Sequence, residues 1–166
     1  MSEWKTYAVA SAAGLLTVSQ IVLGFFLYSE SGTPWLRYVG WAVVAVAFVL
    51  GFMGPSRLRQ KGGVATGKSY VHTSVLVESG IYTVVRHPQS GLSWILLLLA
   101  PILIAQHWIL VVIGIPAMVL VYISTRQEDR YLVEKFGPAY ETYMQRVPSV
   151  NFVTGLMRLL SRRKSP

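Results

Sequence analysis

Residues 89–124 read QSGLSWILLLLAPILIAQHWILVVIGIPAMVLVYIS. No residue in this stretch is acidic, and none is Lys or Arg. Two apolar runs, Gln89 to Ala105 and Trp108 to Ser124, are parted only by Gln106-His107. So short a link forces the runs into a tight antiparallel hairpin of helices. Each arm has about 17 residues, the lower limit for a membrane span. Pro101 and Pro116 sit inside the arms and should bend or locally loosen them.

Working outward, two more apolar blocks lie upstream. The first, about residues 6–28, carries no Lys, Arg or Asp and fits a bilayer-spanning helix. Its core is longer than the apolar region of a signal peptide, and Glu3 stands beside Lys5 where a basic cluster would be, so it reads as a retained helix. The second, about residues 34–54, has Arg37 near its start, where a long side chain can reach the interface. Gly54-Pro55 should end it. The expected fold is therefore all-α: one membrane-embedded domain with four transmembrane helices (about 6–28, 34–54, 89–105 and 108–124) and a helical segment after them.

The composition agrees. Of 166 residues, 53% are hydrophobic and 13% charged, which excludes a disordered chain and disfavours a soluble domain. The absence of cysteine removes disulfides, a cysteine-based metal site and a cysteine nucleophile. The net charge of +8 has a topological explanation. With the N-terminus inside, Lys5, then Arg57, Arg59, Lys61, Lys68 and Arg86, then eight residues from Arg126 to Lys164 share one side, fourteen of the fifteen Lys and Arg. Both termini should be cytoplasmic. No nucleic-acid motif is visible, so no nucleic-acid partner is expected.

The chemistry-capable residues fall in two polar stretches. In the first, Gly62 to Gly67-Lys68-Ser69 satisfies G-x-x-x-x-G-K-[ST]. A phosphate loop also needs a preceding strand, and here a membrane helix precedes, so a basic surface loop is the expectation. Further on, Gly80-Ile81-Tyr82 leads to Arg86-His87-Pro88. Read alone, these three residues suit a membrane entry, with Pro at a first helical position. In the second stretch the fourth helix should run past Glu128-Asp129 to Phe136, stop at Gly137 and restart at Pro138. Glu128-Asp129 read alone could simply pair with Arg126 or Arg130. Tyr140, Tyr143, Met144 and Val147 form one apolar helical face, consistent with packing. The tail from Asn151 mixes Leu156, Met157 and Leu160 with Arg158, Arg162, Arg163 and Lys164, the pattern of a short amphipathic helix on an anionic leaflet.

Taken together and in order, Gly80-Ile81-Tyr82-x-x-x-Arg86-His87-Pro88, the hairpin, and Glu128-Asp129-x-x-Leu132-x-x-x-Phe136-Gly137-x-x-Tyr140-x-x-Tyr143-x-x-x-Val147-Pro148 resemble the isoprenylcysteine carboxyl methyltransferase and phospholipid methyltransferase superfamily. These are integral membrane enzymes that use S-adenosylmethionine. The resemblance implies cofactor-site segments at about 74–90 and 124–148. It places Leu76 and Val77 on the adenosine side, Tyr82 and His87 in contact with the cofactor, and Pro88, Gln89 and Ser90 in the turn. Glu128 would hold a polar part of the cofactor with Asp129 beside it, and Arg86 could pair with its carboxylate. No metal is implied, and no catalytic base is identified.

Four positions depart from the family pattern. Ser90 stands where the family usually has Tyr, and Leu92 where it has Gly. The acidic pair is Glu-Asp in place of Glu-Glu. Ser124 occupies the position of a substrate-handling Arg in the carboxyl methyltransferases, which points away from a prenylcysteine carboxylate. A lipid headgroup amine or another lipophilic acceptor is the expected substrate class, with the bilayer as the other partner. The alternative is a non-catalytic four-helix scaffold or subunit that keeps the fold.

Overall fold

The computed structural model describes residues 3–164. It has six α-helices: α1 (Glu3–Phe26), α2 (Pro34–Lys61), α3 (Trp94–Ala105), α4 (Trp108–Phe136), α5 (Pro138–Arg146) and α6 (Phe152–Lys164). No strand occurs among the described residues. The all-α expectation holds. Four segments, Ala8–Phe26, Pro34–Lys61, Pro88–Ala105 and Trp108–Phe136, are long and apolar enough to cross a membrane. They turn large apolar side chains outward: Leu15, Phe25, Trp41 and Val112 are all exposed. In water such a surface would aggregate, whereas hydrocarbon is a matching solvent for it.

Contacts divide the chain into two compact units. The first comprises Met1–Phe48 and Ser93–Gln127. Its core is Ala13, Leu98, Ala117 and Val121, flanked by Leu16, Ile95, Met118 and Leu120. Small residues let the helices close up. A Cβ on Gly40 would lie 2.6 Å from Ile104 Cγ1, so α2 and α3 touch there only because Gly40 has none. Gln20, fully buried in α1, donates through Nε2 to the Leu110 carbonyl of α4 at 2.8 Å. The hairpin turn is fixed by Gln106, whose left-handed backbone (φ 52°) reverses the chain. Its amide accepts from the Thr33 N–H at 2.7 Å and donates to the Thr33 carbonyl at 2.8 Å, tying this turn to the α1–α2 link. Arg37 reaches back to the Ser29 carbonyl at 2.7 Å with its guanidinium over the Tyr28 ring, as a cation near a helix end should.

The second unit comprises Val49–Leu92 and Glu128–Pro166. Here α2 departs from the sequence reading: it passes through Pro55 and ends at Lys61. Proline costs the helix its bond to the carbonyl four residues back. The Ser56 hydroxyl donates to the neighbouring Phe52 carbonyl at 2.8 Å, and the helix continues. The Gly62–Lys68 segment is a loop. The Gly62 carbonyl accepts from Ser74 N at 2.8 Å and Val75 N at 3.0 Å. Only a 3₁₀ turn, Tyr70–His72, follows. A second departure is at Pro88. It opens a π-helical turn, Pro88–Ser93, in which Leu92 N bonds the His87 carbonyl at 2.9 Å, and α3 begins only at Trp94. The chain after the hairpin follows its punctuation: α4 ends at Phe136, Gly137 takes φ 58°, and Pro138 starts α5.

Candidate functional site

The second unit brings the two polar stretches together. A strap formed by Arg86 and His87 is held by its backbone: Arg86 N donates to Pro148 O and His87 N to Ser149 O, each at 3.0 Å. Their side chains then reach the acidic pair of α4. Arg86 is buried, and one terminal nitrogen donates to Asp129 Oδ2 at 2.9 Å. The other donates to the carbonyls of Met144 and Val147, each at 3.0 Å. Those carbonyls belong to the end of α5, where helix geometry leaves acceptors without partners. Arg86 thus ties α4 to the C-terminus of α5.

Asp129 is buried and fully engaged. Its Oδ1 accepts from His87 Nε2 at 2.8 Å and from the Tyr140 hydroxyl at 2.7 Å, in addition to the Arg86 pair on Oδ2. Glu128, one residue earlier, faces differently. Its Oε2 takes Ser90 Oγ at 2.7 Å and His87 Nδ1 at 3.1 Å, while 43% of its side chain remains exposed. Two adjacent acids therefore have distinct surroundings. Asp129 is consumed by the protein, and Glu128 presents a carboxylate outward.

The imidazole of His87 bridges the two acids. Burial by itself would lower its pKa, but hydrogen bonds to Asp129 and Glu128 and their negative charges outweigh burial and hold it up at about 9. At neutral pH both ring nitrogens carry protons and donate. His87 is then a fixed cation between two carboxylates and has no lone pair to act as a base. The phenols stay protonated. Tyr140 is raised by burial and by the bond it donates to Asp129, and Tyr82 by burial and the nearby charge of Glu128.

Beside this network lies a second group. Tyr82 is buried in the 3₁₀ turn Gly80–Thr83, and its carbonyl accepts from the Tyr143 hydroxyl at 2.7 Å. The Tyr82 hydroxyl itself has no hydrogen-bond partner among the described residues. A Cβ on Gly54 of α2 would lie 3.3 Å from that hydroxyl, 3.3 Å from Gln89 Cβ and 3.4 Å from Pro88 Cγ. Gly54 thus lets α2 pack closely against three of the expected site residues. Gln89 donates to the Tyr70 hydroxyl at 2.7 Å.

Of the ten residues singled out from the sequence, Arg86, His87, Ser90, Glu128 and Asp129 form one bonded network, and Tyr82, Pro88 and Gln89 gather around Gly54. Leu76 is half-buried and Val77 buried in the irregular stretch before Gly80, outside the hydrogen-bonded groups. Sequence reasoning did not find Tyr70 or Gly54, and no spacing links either to the motif. It read Tyr140 as packing. The hydroxyl matters too, but Gly137 breaks the helix between Asp129 and Tyr140, so no periodicity connects them.

The sequence model of a family described as phospholipid methyltransferase matches residues 35–139, a segment that contains both Arg86-His87-Pro88 and Glu128-Asp129. No curated protein matches the chain, and no solved structure matches it.

Proposed function

The chain belongs to the phospholipid methyltransferase family, and from that premise we propose that it transfers a methyl group from S-adenosylmethionine to a lipid or other lipophilic acceptor at the cytoplasmic face of the membrane. The observation that carries the proposal within the site is the outward carboxylate of Glu128, held by His87 and Ser90 with 43% of its side chain exposed. The bound cofactor would supply a methyl group already activated on a sulfonium sulfur. What the protein must add is alignment of donor and acceptor and exclusion of water.

The residues fit that task. Glu128 can accept from an ammonium or a ribose hydroxyl, and its charge favours a cationic ligand. The unpartnered Tyr82 hydroxyl, Gln89 and Ser90 offer neutral polar groups, with Pro88 shaping the turn and Leu76 and Val77 offering apolar surface for the adenine. Arg86 and Asp129 fit a positioning role better than direct contact, because their charged ends already bind one another and the protein. His87 fixes Glu128 in the same way. The one-sided distribution of cations supports a cytoplasmic site.

The test is calorimetric titration of detergent-purified protein with S-adenosylmethionine or its demethylated product, with the helical fold checked by circular dichroism. Wild type should bind saturably. Glu128→Gln should weaken binding by about tenfold or more, the cost of a charged hydrogen bond. A folded wild type that binds neither compound would overturn the proposal and favour the scaffold alternative.

A further inference from the structure

Helix α6 has two faces with different neighbours. One face is docked. Gly155 sits so close to Val84 that a Cβ would collide with the Val84 carbonyl. Arg158 donates to the Gln145 carbonyl at 3.4 Å and Arg162 to the Arg146 carbonyl, supplying donors to the end of α5. The helix start is set locally, since Asn151 Oδ1 accepts from Thr154 N at 3.0 Å.

The other face is exposed. Val153, Leu156, Met157 and Leu160 follow helical spacing and form one exposed stripe, with Val153 66% and Met157 60% exposed. The helix carries four basic residues, Arg158, Arg162, Arg163 and Lys164, and no acidic one. An apolar stripe on a purely cationic helix matches the headgroup zone of an anionic leaflet, where apolar area and charge both contribute to binding. The chain also has four segments able to span a bilayer, so a leaflet is at hand.

We propose that α6 is an interfacial anchor whose Val153–Leu160 stripe lies in an anionic lipid leaflet. The anchor bears on the site strap. Gly155 rests on Val84, and the segment leading into α6 supplies Pro148 O and Ser149 O to the Arg86 and His87 amides. Lipid binding by α6 therefore steadies the backbone that carries the Arg86–His87 pair.

The chain has no cysteine, so single cysteines can report on the stripe without removing native ones. Val153→Cys, Leu160→Cys and, in the exposed loop, Ser69→Cys are each labelled with a nitroxide. The protein is placed in nanodiscs of phosphatidylcholine with or without phosphatidylglycerol. Accessibility is read against lipid-soluble oxygen and an aqueous nickel chelate, a readout independent of cofactor binding and turnover. The stripe labels should favour oxygen severalfold with phosphatidylglycerol, less without it, while Ser69→Cys reads water throughout. Met157→Cys replaces either stripe variant that fails to fold. Stripe labels open to water, closed to both reagents as under a protein partner, or indifferent to phosphatidylglycerol would each overturn the proposal.

Discussion

His87 and Asp129 are joined across 2.8 Å, Nε2 donating to Oδ1, with both side chains almost wholly removed from solvent. The second ring nitrogen faces Glu128, Arg86 and Tyr140 also meet Asp129, and together these groups surround the imidazole's charge. His87 is held at about 9 in the folded protein against an ordinary value of 6.5. A pKa raised on folding contributes stability that is complete below the ordinary value and lost as pH rises through the folded one. The thermal midpoint of the purified protein should accordingly fall as the pH rises from about 6.5 to about 9. His87→Gln should start lower and lack that component, so the difference between the two profiles isolates it from titrating lysines. Parallel profiles across that range would show that the imidazole is not a stabilising cation.

The two adjacent acids should separate in their variants. Asp129→Asn leaves the buried Arg86 guanidinium without its counter-charge and the imidazolium with Glu128 alone, a change that costs about 3 kcal/mol. For a chain of this size the midpoint should drop by roughly 10 °C. Glu128→Gln removes a charge from a partly exposed site and should move the midpoint far less, while cofactor affinity falls. Equal thermal losses in both variants would contradict the division between a buried, engaged acid and an outward one.

The hydropathy of the chain made the four apolar segments legible, and Gly137-Pro138 marked the α4–α5 boundary, because these signals are local. Pro55 misled for the opposite reason. Whether a proline ends a helix depends on what satisfies and surrounds it, and α2 continues. The π-helical turn at Pro88 was hidden too, since one extra residue in a turn leaves no trace in apolar periodicity. In the site, the residue types were readable and their partners were not. Arg86 meets Asp129 from 43 positions away, a pairing that spacing on either segment does not encode. Nor does the sequence say which of two neighbouring acids turns inward. They point about 100° apart on a helix, and packing alone decides which is buried.

Gly155→Ala should act on the strap from a distance. The added methyl meets the Val84 carbonyl, so either α6 or Val84 must shift. The Arg86 and His87 amides, bonded at 3.0 Å to Pro148 and Ser149, then lose protection. Hydrogen exchange of a peptide covering residues 84–90 should accelerate several-fold, with the core around Leu98 and Ala117 unchanged. Unaltered exchange in that peptide would mean that α6 does not support the strap.

Two tyrosines offer the sharpest contrast. Tyr143 donates its buried hydroxyl to the Tyr82 carbonyl at 2.7 Å. Tyr143→Phe leaves that carbonyl without its partner and should cost about 1–2 kcal/mol, seen as a lower thermal midpoint. The hydroxyl of Tyr82 has no partner among the described residues to lose, so Tyr82→Phe should leave the midpoint unchanged or slightly raised. If that hydroxyl faces the cofactor beside Gly54, the same variant should weaken S-adenosylmethionine binding severalfold in the calorimetric titration. Destabilisation without loss of affinity in Tyr82→Phe would instead assign its hydroxyl to the protein interior and remove it from the site.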